Sequence, residues 1–257
     1  MLNKLKFDRA PVVVTGGGQG IGRSTCEVLA ELGAHVIVVS KTEENVLETE
    51  KILGDMGASC EGHVTDVSDK AQVDALAAAV AANHYRVKAL VNNAGTNFVK
   101  KLEELKEDDW HRIIGIDLSS VYYMSRAFLP LLRKADDGAS IVNVASTFGI
   151  IGHPEMPVYC AAKGGVLSLT RQLAVDYGGE KYTGQRRLPG CNAVTTGEEL
   201  YRFWSGRWHR RRGTCPTRPP RRMRRDCKRH RVSRLRRRFL YPWSIYRRRR
   251  RPDSALK

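Results

Sequence analysis

The sequence predicts an α/β fold, in which a parallel β-sheet is covered by helices on both faces. Short apolar runs rich in β-branched residues alternate with longer amphipathic runs through residues 1–181. A cluster of glycines separates the first apolar run from the first amphipathic run, and such alternation is typical of βαβ units. The length of 257 residues suits one domain of this class.

Five strands and five helices are predicted in order along residues 1–181. The predicted strands cover residues 11–14, 35–39, 59–64, 89–91 and 141–144. The predicted helices, in which apolar residues recur every three or four positions, cover residues 23–32, 43–56, 71–82, 107–133 and 158–177. Gly33 and Gly57 follow the first two helices and predict where they end. Pro130 predicts a bend late in the fourth helix.

The positive charge of the chain is confined to its C-terminal part. The formal net charge is +17 at pH 7. Residues 1–181 contain 19 Lys and Arg against 23 Asp and Glu, whereas residues 182–257 contain 25 against 4. The first part is therefore weakly acidic, and the basicity bears only on the second.

Three classes of protein are disfavoured by the composition. No apolar run approaches the ~18 residues that a membrane helix needs. The apolar run at residues 10–14, after Lys4 and Lys6, is shorter than the ~7–15 residues of a signal peptide core. The six Cys include no C-x-x-C pair, so no disulfide framework is expected. The expected location is therefore the cytoplasm.

The glycine cluster at residues 15–22 reads Thr-Gly-Gly-Gly-Gln-Gly-Ile-Gly. Glycines permit a tight turn and let backbone N–H groups approach a pyrophosphate at the positive N-terminus of the next helix. The alternative, a glycine-rich turn without a ligand, is disfavoured because the cluster lies between a strand and a helix. The sequence thus predicts dinucleotide binding on a Rossmann-type, doubly wound sheet.

The chain resembles the short-chain dehydrogenase/reductase family over residues 10–181, in which four signatures occur in family order. Thr15-Gly16-x-x-x-Gly20-x-Gly22 is similar to its nucleotide loop, and Asp66-Val67 resembles the pair that meets the adenine. Asn92-Asn93-Ala94-Gly95 resembles its second signature, and Ser146 with Tyr159-x-x-x-Lys163 resembles its catalytic residues. The expected cofactor-binding residues are Gly16, Gln19, Gly20, Ile21, Gly22, Ser40, Lys41, Asp66, Val67, Asn93, Ala94, Gly95, Tyr159 and Lys163.

Tyr159 and Lys163 are four residues apart and share one face of a predicted helix. A phenol, with an ordinary pKa of about 10, is a poor acid–base group at neutral pH, but a nearby ammonium favours the phenolate. The resemblance implies that Tyr159 is the acid in carbonyl reduction or the base in alcohol oxidation, and that Lys163 supports it and holds the nicotinamide ribose. Ser146 would hydrogen-bond the substrate oxygen. The expected function is hydride transfer between a nicotinamide and a small carbonyl or secondary alcohol.

Asp117 departs from the family pattern. Members often have Asn at this position of the long helix, where it supports a proton-relay water. Asp117 can accept a hydrogen bond from such a water but lacks the amide donor. Two interpretations stay open, a relay residue or an Asp in a polar pocket of the helix.

Cofactor choice is read after the second strand, where Ser40-Lys41-Thr42 stands in place of an acidic residue. A hydroxyl and a cation suit a 2′-phosphate, so NADP is favoured. NAD remains an alternative, because Lys41 can equally be a solvated loop charge and Gln19 is not basic.

The substrate wall is expected to follow Ser146. Phe148 is expected to bind substrate together with Ser146 and Tyr159, and Ile150, Ile151 and Met156 favour a small, mainly apolar ketone or alcohol. His153 and Glu155 are interpreted as exposed loop residues.

Residues 182–257 break the alternation and contain repeated Arg runs. Residues 181–191, written with permitted codons and read one base later, give Asn-Ile-Arg-Val-Asn-Ala-Val-Cys-Pro-Gly, which resembles the family's sixth strand and Pro-Gly turn. We therefore hypothesise that residues 1–181 form the cofactor-binding and catalytic domain, and that residues 182–257 are a frame-shifted reading of its remainder. The family commonly forms dimers or tetramers, which an intact C-terminus would allow here.

The alternative is a genuine basic tail that binds nucleic acid on a degenerate nucleotide-binding fold. Arg interleaved with Trp and Tyr can stack on bases and neutralise phosphates. A zinc site in the tail is not predicted, because the spacings of His209, Cys215, Cys227 and His230 match no known zinc motif. No metal site is expected elsewhere in the chain.

Overall fold

A computed structural model describes residues 7–136 and 138–177 in full, and the backbone of residues 181–182, 186–187 and 191–194. Six strands form one parallel sheet in the order β3-β2-β1-β4-β5-β8. They are β1 Pro11–Thr15, β2 His35–Ser40, β3 Cys60–Val64, β4 Ala89–Asn92, β5 Ser140–Val144 and β8 Cys191–Val194. Two short strands, β6 Lys181–Tyr182 and β7 Arg186–Arg187, pair antiparallel to each other.

Six α-helices connect and cover these strands. They are α1 Gly20–Glu31, α2 Glu43–Asp55, α3 Lys70–Asn83, α4 Glu107–Ile114, α5 Ser120–Arg133 and α6 Pro157–Tyr177. Short 3₁₀ turns occupy Leu102–Glu104 and Thr147–Gly149. Among the described residues, no helix is both long enough and apolar enough to cross a bilayer.

The core lies on both faces of the sheet. Alternate residues of a strand point to opposite faces, so Val13 packs with α3 and α5 whereas Val12 and Val14 pack with α1. All three valines are fully buried. A run that is apolar at every position is expected of a parallel strand covered on both sides. The predicted doubly wound α/β fold is thus confirmed.

The strand order reverses between β1 and β4, which lie side by side in the middle of the sheet. The chain moves from β1 outward to β2 and β3, and then returns to β4 and continues outward on the other side. The connections after β1 and β4 therefore lead to helices on opposite faces of the sheet, α1 on one and α5 on the other, and leave a crevice at its carboxyl edge. In open α/β sheets, ligands bind at such a reversal point.

The helical stretch predicted as residues 107–133 is not one regular helix. A π-helical turn, Gly115–Ser119, separates α4 from α5, whereas Pro130 lies inside α5. The irregularity thus lies earlier than the bend predicted at Pro130. The wider turn places Asp117 inward, where its carboxylate accepts a hydrogen bond from the Thr96 N–H.

β8 lies within the segment for which a change of reading frame is hypothesised. Its residues pair in parallel with β5, from Ile141 opposite Cys191 to Val144 opposite Val194. The other residues on which that hypothesis rests, apart from the short β6 and β7 backbones, lie outside the described part of the chain, as do His209, Cys215, Cys227 and His230.

Candidate active site

The loop from Thr15 to Gly22 joins β1 to α1 at the carboxyl edge of the sheet. Gly16 and Gly20 have φ of +64° and +53°, values that favour glycine. A Cβ on Gly22 would lie 1.9 Å from the Gly16 carbonyl oxygen, so no larger residue fits there without a shift. Gln19, Gly20 and Ile21 are exposed, and the first turn of α1 contains no acidic residue. The loop therefore fits an anionic group such as a pyrophosphate at the helix N-terminus.

The loop after β4 fixes the glycine loop. The Thr15 hydroxyl oxygen accepts hydrogen bonds from the backbone N–H groups of Asn93 and Ala94, each at 3.0 Å. The Asn93 amide donates to the Thr15 carbonyl at 3.0 Å. A Cβ on Gly95 would lie 2.8 Å from the Asp117 carboxylate. Asn93, Ala94 and Gly95, predicted to bind cofactor, thus hold the floor of the crevice together.

Arg23 supports the glycine loop from behind. Its guanidinium donates to the Gly18 carbonyl at 2.6 Å and to the Glu48 carboxylate at 2.6 Å. The hydrogen bond from Arg23 holds the pKa of the exposed Glu48 carboxyl below its ordinary value. Arg23 is therefore engaged with the protein and positions the loop.

Ser40, Lys41, Asp66 and Val67 lie where β2 and β3 end. Lys41 Nζ lies 2.6 Å from Asp66 Oδ2, and Ser68 donates to the other oxygen of this carboxylate. Burial opposes ionisation of Asp66, but the hydrogen bonds from Lys41 and Ser68 outweigh it and lower its pKa. Val67 is buried, whereas the Lys41 side chain is 74% exposed. Lys41 can therefore be reached from solvent but is paired across the strand ends.

Tyr159, Lys163 and Ser146 are brought to the same edge by α6 and the end of β5. Lys163 Nζ lies 5.6 Å from the centroid of the Tyr159 ring, one helical turn away. The Ser146 hydroxyl oxygen accepts a bond from the Phe148 N–H at 3.2 Å. A Cβ on Gly149 would lie 2.7 Å from the Lys163 carbonyl oxygen, so the turn after Ser146 packs directly on α6.

The Lys163 ammonium is buried in a polar cage. It lies 3.0 Å from Asp117 Oδ1 and donates to the Val144 carbonyl at 3.2 Å. Asp117 is fully buried, and its Oδ2 accepts from the Thr96 N–H at 3.0 Å. Burial raises the pKa of the Asp117 carboxyl, and the nearby Lys163 opposes that rise. Asp117 therefore forms a buried ion pair with Lys163, a contact that is compatible with both interpretations of this residue.

Some residues of the expected substrate wall are exposed to solvent, whereas others are buried. Phe148 is half-buried against the His153 ring, with centroids 4.5 Å apart, and Ile150 and Ile151 are exposed. Met156 is buried and lines a shallow depression that also includes Tyr159, Phe98 and Ile113. Phe98 and Ile113 had not been predicted to take part. Their positions before and within α4 carry no local motif that would have indicated it.

A buried polar chain beneath the site was also not predicted. The Asn92 side-chain amide donates to Asn143 Oδ1 at 2.8 Å, and the Asn143 side-chain amide donates to the Thr170 hydroxyl at 2.8 Å. These bonds join β4, β5 and α6 below the catalytic edge. The signal was Asn143 itself, a polar residue in the middle of an apolar strand, because a buried amide requires partners.

Comparisons with known proteins agree with this geometry. A family model for short chain dehydrogenases matches residues 10–199. The meso-2,3-butanediol dehydrogenase of Serratia marcescens is 36% identical over 178 residues, which are 68% of this chain and 68% of that enzyme. A 3-oxoacyl-(acyl-carrier-protein) reductase of Thermotoga maritima is 32% identical over 196 residues, covering 76% of this chain and 79% of the reductase.

A solved structure shows the same fold with a cofactor bound. The short chain dehydrogenase/reductase from Burkholderia phymatum in complex with NAD has a TM-score of 0.68 and 34% identity, over 74% of this chain and 66% of that chain. The matches give no support to nucleic-acid binding. The chain belongs to the short-chain dehydrogenase/reductase family and is an NAD(P)-dependent oxidoreductase.

Proposed function

We propose that the chain interconverts small, mainly apolar ketones and secondary alcohols, with Tyr159 as the acid–base residue. The observation that carries this proposal is the position of Lys163. Its ammonium lies 5.6 Å from the Tyr159 ring and is fixed by Asp117 and Val144 next to Gly95, in the loop after β4. An ammonium held next to a phenol favours the charged form that proton transfer leaves behind.

Three side chains carry out the proton chemistry in this proposal. In reduction, the Tyr159 hydroxyl gives its proton to the substrate oxygen as negative charge develops there, and Lys163 stabilises the resulting phenolate. Ser146 donates a hydrogen bond to the same oxygen, since its own oxygen already accepts from Phe148. The nicotinamide, when bound, supplies or accepts the hydride. Oxidation reverses each proton movement.

The glycine loop and Lys163 would hold the cofactor. The exposed backbone of Gln19, Gly20 and Ile21 suits the pyrophosphate, and Lys163 suits the nicotinamide ribose. Preference for NADP is supported by Ser40 and the exposed Lys41, which replace an acidic residue after β2. To contact a 2′-phosphate, Lys41 would have to break its ion pair with Asp66. The cost of breaking this pair makes the preference for NADP weaker than an unpaired lysine would give.

A panel of ketones and alcohols with both cofactors, assayed on the protein with its proposed reading frame restored, tests this function. We expect turnover of small apolar substrates and a higher kcat/KM with NADPH than with NADH. Lys41→Ala should reduce this preference while leaving the NADH reaction unchanged, because the 2′-phosphate is the group that Lys41 would contact. Equal use of both cofactors by parent and variant would contradict the NADP proposal, and absence of turnover with any carbonyl would contradict the function.

We also propose that residues 1–181 form the catalytic domain and that residues 182–257 are a shifted reading of its remainder. The abrupt change in charge at this boundary supports the proposal. Nucleotide sequencing through codon 181 tests it, and a confirmed in-frame gene whose 257-residue product is active would overturn it. With the frame corrected, a homodimer or homotetramer in the cytoplasm is expected, which light scattering and cell fractionation would check.

A further inference from the structure

A second cluster of chemically active side chains lies beside β2 and β3, with His35 and Glu61 near the amino ends of these strands and His63 nearer the carboxyl end of β3. His35 is the first residue of β2, Glu61 and His63 belong to β3, and His84 follows α3. β2 begins at the edge opposite the glycine loop. These four residues, which we call the histidine cluster, are distant in sequence and lie outside every motif that the catalytic site uses.

The sheet register explains why the cluster forms. Ile37 pairs with Glu61 in the parallel ladder between β2 and β3, and Val39 pairs with His63. Paired residues of a parallel sheet, and residues two apart in one strand, share a face. His35, Glu61 and His63 therefore lie on the face that α3 covers, because Ile37 and Val39 pack there. His84 completes the group from the end of α3.

The three imidazoles converge on the Glu61 carboxylate. His84 Nε2 lies 3.2 Å and His63 Nε2 lies 3.3 Å from Glu61 Oε1, and His35 Nε2 lies 3.9 Å from Glu61 Oε2. The donor atoms of His35, Glu61 and His84 all lie within 4.8 Å of one another. A tetrahedral ion with bonds of about 2.0–2.1 Å separates its donors by roughly 3.3 Å. The cluster is thus close to the spacing of a metal site.

His35 supplies an independent observation. Its Nε2 is buried and has no hydrogen-bond partner among the described residues, whereas its Nδ1 lies 2.7 Å from the Ser59 hydroxyl. A buried, unpartnered nitrogen is costly unless a partner arrives. Histidines that bind metals are commonly oriented in this way, with the ring nitrogen that does not bind the metal held by a hydrogen bond. The Nε2 atom is therefore directed into the cluster without a protein partner.

We propose that His35, Glu61 and His84 bind a divalent transition metal ion, with His63 as a fourth ligand or an outer partner of Glu61. Two or three imidazoles with one carboxylate suit Zn²⁺ or Co²⁺, whereas Mg²⁺ and Ca²⁺ require mostly oxygen ligands. The ion would tie β2 and β3 to the end of α3. Because the catalytic edge lies at the opposite end of the strands, the ion would stabilise the fold and take no part in hydride transfer.

Cobalt and zinc titrations of the untagged, metal-stripped 257-residue chain test the proposal. We expect one equivalent of Co²⁺ to give the intense visible absorption bands of four-coordinate cobalt, and one equivalent of Zn²⁺ to abolish them. Zinc should also raise the thermal unfolding midpoint. His35→Gln and His84→Gln should each weaken zinc binding by about tenfold or more. His111→Gln, which changes an exposed histidine of α4, is the matched control and should bind zinc like the parent.

Two results would overturn the proposal. One is the absence of saturable Co²⁺ binding by the parent chain. The other is unchanged zinc affinity in His35→Gln and His84→Gln, which would place the metal elsewhere, for example on His209, Cys215, Cys227 and His230. X-ray absorption of the zinc-loaded parent needs no variant and separates these cases. Nitrogen and oxygen ligands alone support the histidine cluster, whereas sulfur ligands contradict it.

Discussion

Each end of the sheet holds a carboxylate next to nitrogen-bearing side chains, but the two groups are built differently. At the carboxyl edge, Asp117 is fully buried and pairs with the single fixed cation of Lys163. At the opposite edge, Glu61 is partly exposed and faces the imidazoles of the histidine cluster. A fixed ion pair suits a site that must hold one charge next to Tyr159. A group of imidazoles around one carboxylate suits the capture of a cation.

Among the changes considered, removal of Lys163 is expected to have the largest effect on stability and turnover. Lys163→Met leaves Asp117 as a buried charge without its cation, which costs about 3–5 kcal/mol of stability. Turnover should also fall by about a thousandfold or more, since the phenolate loses its support. Urea unfolding and steady-state kinetics of the frame-corrected protein measure the two effects.

The double variant Lys163→Met with Asp117→Asn separates these two effects. It should recover much of the lost stability, because no unpaired carboxylate remains, but should stay inactive. If Lys163→Met alone unfolds at the same urea concentration as the parent, the buried pair described here does not exist in solution.

Gly22→Ala tests whether the catalytic edge depends on a close backbone approach. The added methyl group would lie 1.9 Å from the Gly16 oxygen, so the loop must shift. Such overpacking costs about 1–3 kcal/mol, which corresponds to a loss of roughly 5- to 150-fold in cofactor affinity if the strain falls on the loop. Fluorescence titration with NADPH measures it. Gly54→Ala in α2, where a Cβ meets open space, is the matched control and should bind the cofactor like the parent.

Asp117→Asn tests the electrostatic difference between the two ends. Because burial raises the pKa of Asp117, its contribution to stability is present below the ordinary value of 3.8 and is lost as pH rises through its pKa in the folded protein. The stability of the Asn variant relative to the parent should therefore improve as pH rises from about 4 to about 7. Urea midpoints across this range measure the trend, and a constant difference would contradict it.

Zinc is expected to have the smallest effect on catalysis. Its addition therefore tests whether the histidine cluster and the catalytic site act independently. Saturating zinc should raise the unfolding midpoint but change kcat/KM by less than about twofold, because distant sites with no shared partner act independently. The value of kcat/KM, measured after all metal has been removed by a chelator and again after zinc is added back, tests this prediction. A large zinc-dependent change in kcat would show that the ends are coupled or that the ion binds at the catalytic edge.

Most of the fold could be predicted because local pattern and tertiary environment agree. The apolar run at β1 and the glycines after it are consistent with a central parallel strand followed by a phosphate-binding turn. The predicted boundaries of β1 and β2 differ from the observed ones by one residue. The π turn at Gly115–Ser119 could not be predicted, because no local residue pattern marks it and the Asp117 partner, the Thr96 N–H, is distant in sequence.

The catalytic residues and the histidine cluster also differ in how much of each could be predicted from the sequence. Tyr159 and Lys163 share a helix, so their spacing reveals that they share a face. The pairing of Lys163 with Asp117 joins two helices and follows from no spacing. The histidine cluster has no motif at all, since its members come from three elements and meet only through the register of β2 and β3. Its one local signal was alternating polar residues along β3, an otherwise weak strand.

Tyr159→Phe, made in the protein with its proposed reading frame restored and assayed for cofactor binding and turnover, tests the central claim most directly. The change removes one hydroxyl and leaves the ring next to Lys163 in place. NADPH affinity should be unchanged, whereas reduction of the best ketone of the panel should slow by about a thousandfold. Turnover close to that of the parent, with the cofactor still bound, would contradict the assignment of Tyr159 as the acid–base residue.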